Sequence, residues 1–218
     1  MARIATEDIP LKRALMTDHA LFFTHIQQSR LPDGDLLDDL IAACWMIEDG
    51  DQAGHDWCER EGYPGYTSYS SLDDLPTRAP AFADLVQVLD EHAMRFANAR
   101  FWDLGTAKLR CDSLWINVLG EGGHHSGHIH PNSVISGTCY VAMPVGAGRI
   151  KFEDPRLPMM MAAPPVKLDA PETAKRFAYQ MPTPGDILMW ESWLRHEVLA
   201  SASEDARISV SFNYSVAD

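Results

Sequence analysis

The stretch Gly127-His128-Ile129-His130-Pro131 decides how the rest of this 218-residue chain is interpreted. Side chains alternate between the two faces of a β-strand, so a strand here places His128 and His130 on one face and Ile129 on the other. Neutral imidazole is a preferred ligand of transition metals, which makes His128 and His130 candidate ligands of one metal ion. A solvated, histidine-rich turn is the alternative interpretation.

A catalytic metal needs at least one more protein ligand, and His196 is the best candidate for it. It ends the strand-like segment Trp193-Leu194-Arg195-His196. His124 and His125 lie in the glycine-rich turn before the first pair and are weaker candidates. Alone, His196 is typical of a surface or capping histidine. Together with the first pair, it predicts a three-histidine metal site.

Polar and apolar residues alternate from Arg207 to Tyr214. An antiparallel strand with one wet face explains this alternation completely. The alternative is that the wet face lines the mouth of a barrel, where Arg207 offers a two-pronged donor to a carboxylate and Ser209 adds a hydroxyl. Trp115 and Asn117 also share one face of a strand, either in the core or in a pocket wall with an amide donor.

The pattern is mixed up to about residue 34, and helical periodicity dominates from there to about residue 107. An apolar stripe over residues 36–45 predicts an amphipathic helix that Asp33 or Asp35 caps and residues 49–51 end. A second stripe, over residues 82–96, predicts a helix that begins near Pro80. Residues 9–16 could begin a short strand, and the glycine, proline and serine content of residues 61–80 predicts a loop.

After residue 108, short segments with the period of a β-strand replace the helical stripes. They predict a mainly β fold with flanking helices, either an all-β barrel or a jelly roll. We therefore expect one domain over residues 1–218, with a largely helical support in residues 1–107 and a β core in residues 108–218. Residues 155–174 are predicted to form a long loop or lid. The predicted strands are residues 113–119, 128–133, 137–143, 149–153, 187–191 and 208–216.

The composition restricts the class of partner. A formal net charge of −13 disfavours nucleic acid and anionic membrane surfaces, which both attract basic patches. Four widely separated cysteines predict reduced, mostly buried thiols. Because no apolar run has the length of a membrane span or a leader, a cytoplasmic protein is the expectation. The sequence does not predict the oligomeric state.

The motifs His128-x-His130, His196 and Arg207-x-Ser209 together resemble the 2-oxoglutarate and Fe(II)-dependent oxygenase superfamily. More narrowly, residues 108–216 look like a small family of oxygenases from bacteria and their phages. The segments that carry this similarity are Trp115-Ile116-Asn117, His128-Ile129-His130-Pro131-Asn132-Ser133, Ser136-Gly137 with Tyr140, Phe152-Glu153-Asp154-Pro155-Arg156, Trp193-Leu194-Arg195-His196 and Arg207-Ile208-Ser209 with Asn213, and more weakly Gly65-Tyr66-Thr67-Ser68.

The resemblance implies a double-stranded β-helix, the cupin-like form of the jelly roll, with helices packed outside. It also implies Fe(II) inside one end of the fold, held by His128, His130 and His196. The superfamily usually has a carboxylate where this chain has His130. Three neutral imidazoles leave two positive charges on the iron instead of one, so His130 puts the course of the reaction in question but not the metal.

The resemblance further implies 2-oxoglutarate as co-substrate, with its far carboxylate on Arg207 and Ser209. Asn117 and Tyr140 are assigned to the same cofactor site. Oxidative decarboxylation to succinate would then drive hydroxylation or oxidation of a small-molecule or peptide substrate that the sequence does not identify.

Two other classes of protein fit the histidines. One is a three-histidine metal enzyme without 2-oxoglutarate, either a thiol or ring-cleaving dioxygenase or a zinc hydrolase. The other is a non-catalytic, cupin-like binding or sensing protein with a closed structural metal, for which His124 or a cysteine would be the fourth ligand. If His130 is not a ligand, Glu153, Asp154 and Asp186 are the next candidates.

Overall fold

The computed structural model of the protein describes residues 18–217. The segment predicted as a short strand at residues 9–16 lies outside this range. The helices in the described range are α1 (Leu36–Gly50), α2 (Gln52–Glu61), α3 (Leu75–Arg78) and α4 (Pro80–Ala99). The strands are β1 (Ile26–Arg30), β2 (Tyr66–Thr67), β3 (Lys108–Leu119), β4 (His125–His128), β5 (Ile135–Ala142), β6 (Ile150–Glu153), β7 (Phe177–Gln180), β8 (Asp186–Glu191), β9 (His196–Val198) and β10 (Arg207–Ala217).

The strands form two antiparallel sheets. The larger sheet has the order β1-β8-β5-β10-β3-β2, and the smaller has the order β4-β9-β6-β7. From β3 to β10 consecutive strands lie in different sheets, except for the hairpin of β6 and β7, which is the topology of a jelly roll. Within residues 18–217 the two sheets do not join into a closed barrel. The predicted double-stranded β-helix is confirmed.

Two apolar clusters hold these layers together. The larger cluster packs buried residues of α1 and α4, such as Leu40 and Phe82, against one face of the larger sheet. The smaller cluster joins Phe152 of the smaller sheet to Tyr140 and Trp190 of the larger one. Both faces of the larger sheet are thus covered, and the site described below lies on the face toward the smaller sheet.

The alternation in β10 now has a physical explanation. Ile208, Val210, Phe212 and Tyr214 belong to the cluster under the helices. Arg207, Ser209 and Ser211 line a cavity between the sheets. The polar face of this strand is therefore an inner surface of the fold and not a solvated one, as the second of the two interpretations proposed.

The helices predicted at residues 36–45 and from Pro80 are confirmed as α1 and α4. The loop predicted at residues 61–80 is partly wrong, because it contains β2 and α3. The strand predicted at residues 128–133 is also wrong. Its start lies in β4, which ends at His128, and the chain then leaves the smaller sheet.

Residues 155–174 are largely irregular, as predicted, with short 3-10 turns at Leu157–Met159 and Glu172–Ala174. They connect β6 to β7, which pair with each other at the edge of the smaller sheet. Cys44, Cys58 and Cys139 are buried, and all four cysteines are free. None of the described helices is both long and apolar enough to cross a membrane.

Candidate metal centre

Three histidines from different segments meet in the wall of the cavity. A nitrogen atom from each of His128, His130 and His196 lies within 4.8 Å of the other two. His128 ends β4 and pairs directly with His196 at the start of β9. His130 lies in the loop after β4, and its Nε2 is 3.3 Å from Nε2 of His196. Among residues 18–217, no other set of three histidines, cysteines or carboxylates converges in this way.

Backbone carbonyls orient two of the three rings. His128 Nδ1 lies 2.7 Å from the Ser126 carbonyl oxygen, and His196 Nδ1 lies 2.8 Å from that of Leu194. A carbonyl can only accept, so Nδ1 carries the proton in both rings and Nε2 has a free lone pair. This tautomer is the one that a metal bound through Nε2 requires.

Burial keeps these imidazoles neutral. It lowers the pKa of His196 to about 3 and that of His130 to about 4, and the neighbouring His128 ring adds to both shifts. The pKa of His128 is also lowered, chiefly by burial. Neutral imidazole is the form that binds metals, so the three residues fit a transition-metal ion at neutral pH.

The two other histidines of the cluster have different positions. His125 lines the cavity and stacks on His128 with 4.3 Å between ring centroids, but it is not part of the three-histidine group. Its Nδ1 is 3.4 Å from the hydroxyl of Tyr63, which lines the same cavity. His124 is exposed and contacts the Gly122 carbonyl oxygen. Tyr63 was not predicted, because its position depends on the chain leading into β2 and no local pattern indicates it.

The same cavity is also lined by a buried cation. Arg207 is 2% exposed, and its NH1 group donates to Ser209 Oγ at 3.0 Å. The guanidinium carbon lies 5.3 Å from the centre of the Tyr140 ring. Among residues 18–217, no carboxylate lies within 4.0 Å of this guanidinium, and neither Arg207 Nε nor the Tyr140 hydroxyl has a hydrogen-bond partner. A buried charge without a counter-ion is costly, so the part of the cavity at Arg207 fits an anionic ligand.

Trp115 and Asn117 also line this cavity, as the pocket interpretation proposed. The Trp115 ring centroid is 5.8 Å from that of His130. Asn117 donates through Nδ2 to Ser211 Oγ at 3.1 Å, while its Oδ1 atom is buried without a partner. Asn117 therefore has a buried amide oxygen that can accept a hydrogen bond, and one of its two Nδ2 hydrogens is used by Ser211.

The carboxylates considered as substitutes for His130 are engaged elsewhere. Asp154 accepts two hydrogen bonds from the guanidinium of Arg156, at 3.0 and 2.8 Å. Asp186 accepts from Arg30 at 2.8 Å, and Glu153 lies 3.4 Å from Arg195 Nε. In the described residues neither these groups nor a cysteine joins the histidines, so the closed four-ligand site has no support here.

The sequence of this region matches a known family. A family model described as "Putative 2OG-Fe(II) oxygenase" matches residues 113–213, which are slightly less than half of the chain. This range contains the three histidines together with Arg207 and Ser209. The predicted resemblance is thus confirmed at the level of the family. No curated protein matches the chain by sequence.

Solved structures share the fold. A prolyl-4-hydroxylase from Pseudomonas putida superimposes with a TM-score of 0.56 at 15% identity, covering 88% of this chain and 92% of that one. HygX from Streptomyces hygroscopicus, with nickel and 2-oxoglutarate bound, gives 0.58 at 14% identity, covering 88% and 83%. The epimerase SnoN, in complex with Fe3+, alpha ketoglutarate and nogalamycin RO, gives 0.58 at 12% identity, covering 88% and 79%.

Proposed function

We propose that this chain, whose residues 113–213 belong to the family of putative 2OG-Fe(II) oxygenases, is an oxygenase that uses Fe(II) and 2-oxoglutarate. One observation carries this proposal. The three-histidine cluster and the buried Arg207, which has no carboxylate partner in the described residues, line the same cavity. A metal ligand set and an anion receptor in one cavity match a co-substrate that must contact both.

His128, His130 and His196 would hold Fe(II) on one side through their Nε2 atoms. The protons on Nδ1 of His128 and His196 leave these two lone pairs free. Three protein ligands leave positions open for small molecules, as in other non-haem iron enzymes. When bound, Fe(II) and 2-oxoglutarate together supply the activation of O2, coupled to decarboxylation of the oxo acid to succinate.

Arg207 would bind the far carboxylate of 2-oxoglutarate. A guanidinium presents two parallel donors to a carboxylate, and Arg207 Nε lacks an acceptor in the described structure. Ser209 and the Tyr140 hydroxyl would add donors, since burial raises the pKa of the Tyr140 phenol and keeps it protonated. Asn117 lies in the wall of the same cavity and completes the predicted cofactor site.

HygX and SnoN support this assignment, because their structures contain a metal and the oxo acid on the same fold. The prolyl-4-hydroxylase shows that this fold serves hydroxylation in another chain. The neighbours differ in what they act on, so they do not indicate the substrate of this protein. The replacement of the usual carboxylate by His130 leaves the iron more positive and favours a dianionic co-substrate.

Other parts of the chain have proposed roles. Residues 155–174 would act as a lid that excludes water from the cavity. The four free cysteines support a reducing, cytoplasmic compartment, and the net charge of −13 supports a partner other than nucleic acid. The pairing of β1 with β8 and of β2 with β3 supports a single domain, because the N-terminal half adds strands to the larger sheet.

The test is a titration of 2-oxoglutarate into the iron-loaded protein without oxygen. A visible charge-transfer band between iron and the oxo acid is expected, followed by release of succinate when air is admitted. The His196→Ala protein serves as the matched control and should show neither. An iron-loaded protein that shows no band and no succinate at millimolar 2-oxoglutarate would instead be the three-histidine dioxygenase without this co-substrate.

A further inference from the structure

His130 is held differently from the other two histidines of the cluster. His128 and His196 pair with each other across β4 and β9, and His196 also pairs with Phe152 of β6. Their rings each contact a backbone carbonyl. His130 lies beyond the end of β4, and in residues 18–217 its Nδ1 has no hydrogen-bond partner. Among the described residues its ring is hydrogen-bonded only to His196, through the Nε2 atom that a shared metal would take, so neither strand pairing nor a ring bond to the backbone fixes its position.

The backbone of His130 is held by the turn that follows β8. Its N–H donates to the Ser192 carbonyl oxygen at 3.0 Å, and the Ser192 N–H donates to Val134 at 3.2 Å. These two bonds close the loop around residues 130–134. The place of His130 in the cluster consequently depends on where Ser192 lies.

A buried chain of hydrogen bonds fixes Ser192. Its Oγ is 2.8 Å from Ser136 Oγ on β5, and Ser136 Oγ donates to Asn213 Oδ1 on β10 at 2.8 Å. Each hydroxyl has one proton, so Ser192 donates to Ser136 and Ser136 donates to Asn213. Ser136 and Ser192 are 1% exposed and Asn213 is 6% exposed. Water has little access to replace these bonds.

We propose that Asn213, Ser136 and Ser192 form a positioning relay that fixes His130 in the metal site through the Ser192 carbonyl. The inference rests on the proposed function, because it assumes that His130 is a metal ligand. None of the three relay residues needs to contact metal or substrate. Their role is to hold the one ligand that the sheet itself does not hold.

The relay has a specific energetic consequence. Partners that orient a metal ligand without touching the metal affect affinity about 10- to 100-fold. Loss of the Ser192 hydroxyl removes the side-chain anchor of the residue whose carbonyl holds His130 and leaves, in the described structure, only the backbone bond to Val134, so a metal would have to order this loop when it binds. His128 and His196 keep their strand pairing in such a variant. The loss of metal affinity should therefore occur only when His130 is present.

The experiment is a double-mutant cycle on Co(II) affinity, measured by the visible absorption of the bound ion in the full chain. The four proteins are the parent, Ser192→Ala, His130→Ala and the double variant. We expect Ser192→Ala to weaken binding about tenfold or more in the parent and by less than about twofold in the His130→Ala background. Equal weakening in both backgrounds would mean a general structural role and would overturn the relay.

Tyr214→Phe is the matched control. It removes a hydrogen bond of 2.7 Å to Asp90 from the residue next to Asn213, but on the opposite face of β10. It should leave the Co(II) affinity unchanged. If Ser192→Ala does not fold, Ser136→Ala and Asn213→Ala interrupt the same relay from the larger sheet and should show the same dependence on His130. A parent protein that binds no Co(II) would overturn the metal site itself, whereas a parent that binds it with equal effects in the cycle would overturn only the relay.

Discussion

Nε2 of His130 lies 3.3 Å from Nε2 of His196, and the two rings are nearly parallel with an angle of 14°. Because His196 Nδ1 donates to the Leu194 carbonyl, its Nε2 accepts, and the Nε2 proton of this pair belongs to His130. A metal bound to both atoms needs both lone pairs. His130 therefore has to move its proton to Nδ1 when the metal binds, whereas His128 and His196 already have the required tautomer.

Replacement of His128 or His196 by Ala should remove most of the bound metal. Each variant leaves two imidazoles, and two ligands hold iron poorly. We expect affinity at least about tenfold weaker, measured as Fe(II) retained after anaerobic gel filtration. His124→Ala is the control, because this exposed histidine lies outside the three-histidine group. Stoichiometric iron in the His128→Ala protein would place the site elsewhere.

Variants of His130 separate the need for a ligand from the need for an imidazole. His130→Asp introduces the carboxylate that related oxygenases use and should retain iron. His130→Leu has a similar bulk but no donor atom and should bind iron clearly more weakly. Elemental analysis of both proteins, prepared side by side, provides the measurement. Equal iron in the His130→Leu protein and the parent would show that His130 is not a ligand.

The structure brings together the three histidines that the sequence predicted to converge, but by a partly different route. Strand alternation predicts His128 and His130 on one face of one strand, whereas β4 ends at His128. The two residues still converge because a hydrogen bond to Ser192, more than sixty residues away, folds the loop back. A contact between residues so far apart in sequence has no local signature, so alternation alone could not predict it.

Secondary structure was predictable where one face of an element is buried. The stripes of α1 and α4 and the alternation of β10 were sufficient, because their apolar faces meet in one core. Helix α2 was missed, since it buries only Gly54 and Cys58 and has no apolar stripe. Its ends do have sequence signals. Asp51 is the N-cap and accepts from the Gly54 N–H, and Gly62 ends the helix in a left-handed conformation.

The stability of the metal-free protein should fall as the pH is lowered from about 6.5 toward 4. The folded protein holds His196 with a pKa lowered to about 3 and His130 with one lowered to about 4. The unfolded chain binds these protons near pH 6.5, so acid favours unfolding across this window. Urea unfolding at several pH values gives the slope of the free energy of unfolding against pH. His196→Gln should reduce the slope, whereas Tyr214→Phe should keep that of the parent, and an unchanged slope in His196→Gln would contradict the assignment.

Gly137→Ala should destabilise the fold without removing any polar group. A Cβ at this position would lie 2.3 Å from Phe212 Cζ and 2.5 Å from the Leu188 carbonyl oxygen. Relief of such overlap requires shifts in a packed core, which cost about 1 to 3 kcal/mol. Thermal unfolding measures the effect. Gly120→Ala is the control, because nothing lies within 4 Å of a Cβ there. Equal melting temperatures for Gly137→Ala and the parent would show that the core accommodates the added Cβ without cost.

Arg207→Ala should weaken the binding of 2-oxoglutarate and leave metal binding unchanged. The guanidinium is buried and donates to Ser209, and it contributes no atom to the three-histidine group. Truncation of one partner of a desolvated charge pair costs about 2 to 5 kcal/mol, so we expect binding at least about thirtyfold weaker. Arg207→Lys should fall between, because it keeps the charge but loses the planar pair of donors.

The charge-transfer band of the iron-loaded protein, titrated with 2-oxoglutarate without oxygen, reports the affinity of each Arg207 variant. Arg95→Ala provides a matched control, since it removes a guanidinium that is mostly exposed on α4 and does not line the cavity. The iron content of all variants should equal that of the parent. Loss of iron in Arg207→Ala would mean that the residue supports the metal site. Unchanged affinity for 2-oxoglutarate would mean that Arg207 does not bind this co-substrate and that its ligand is a different anion.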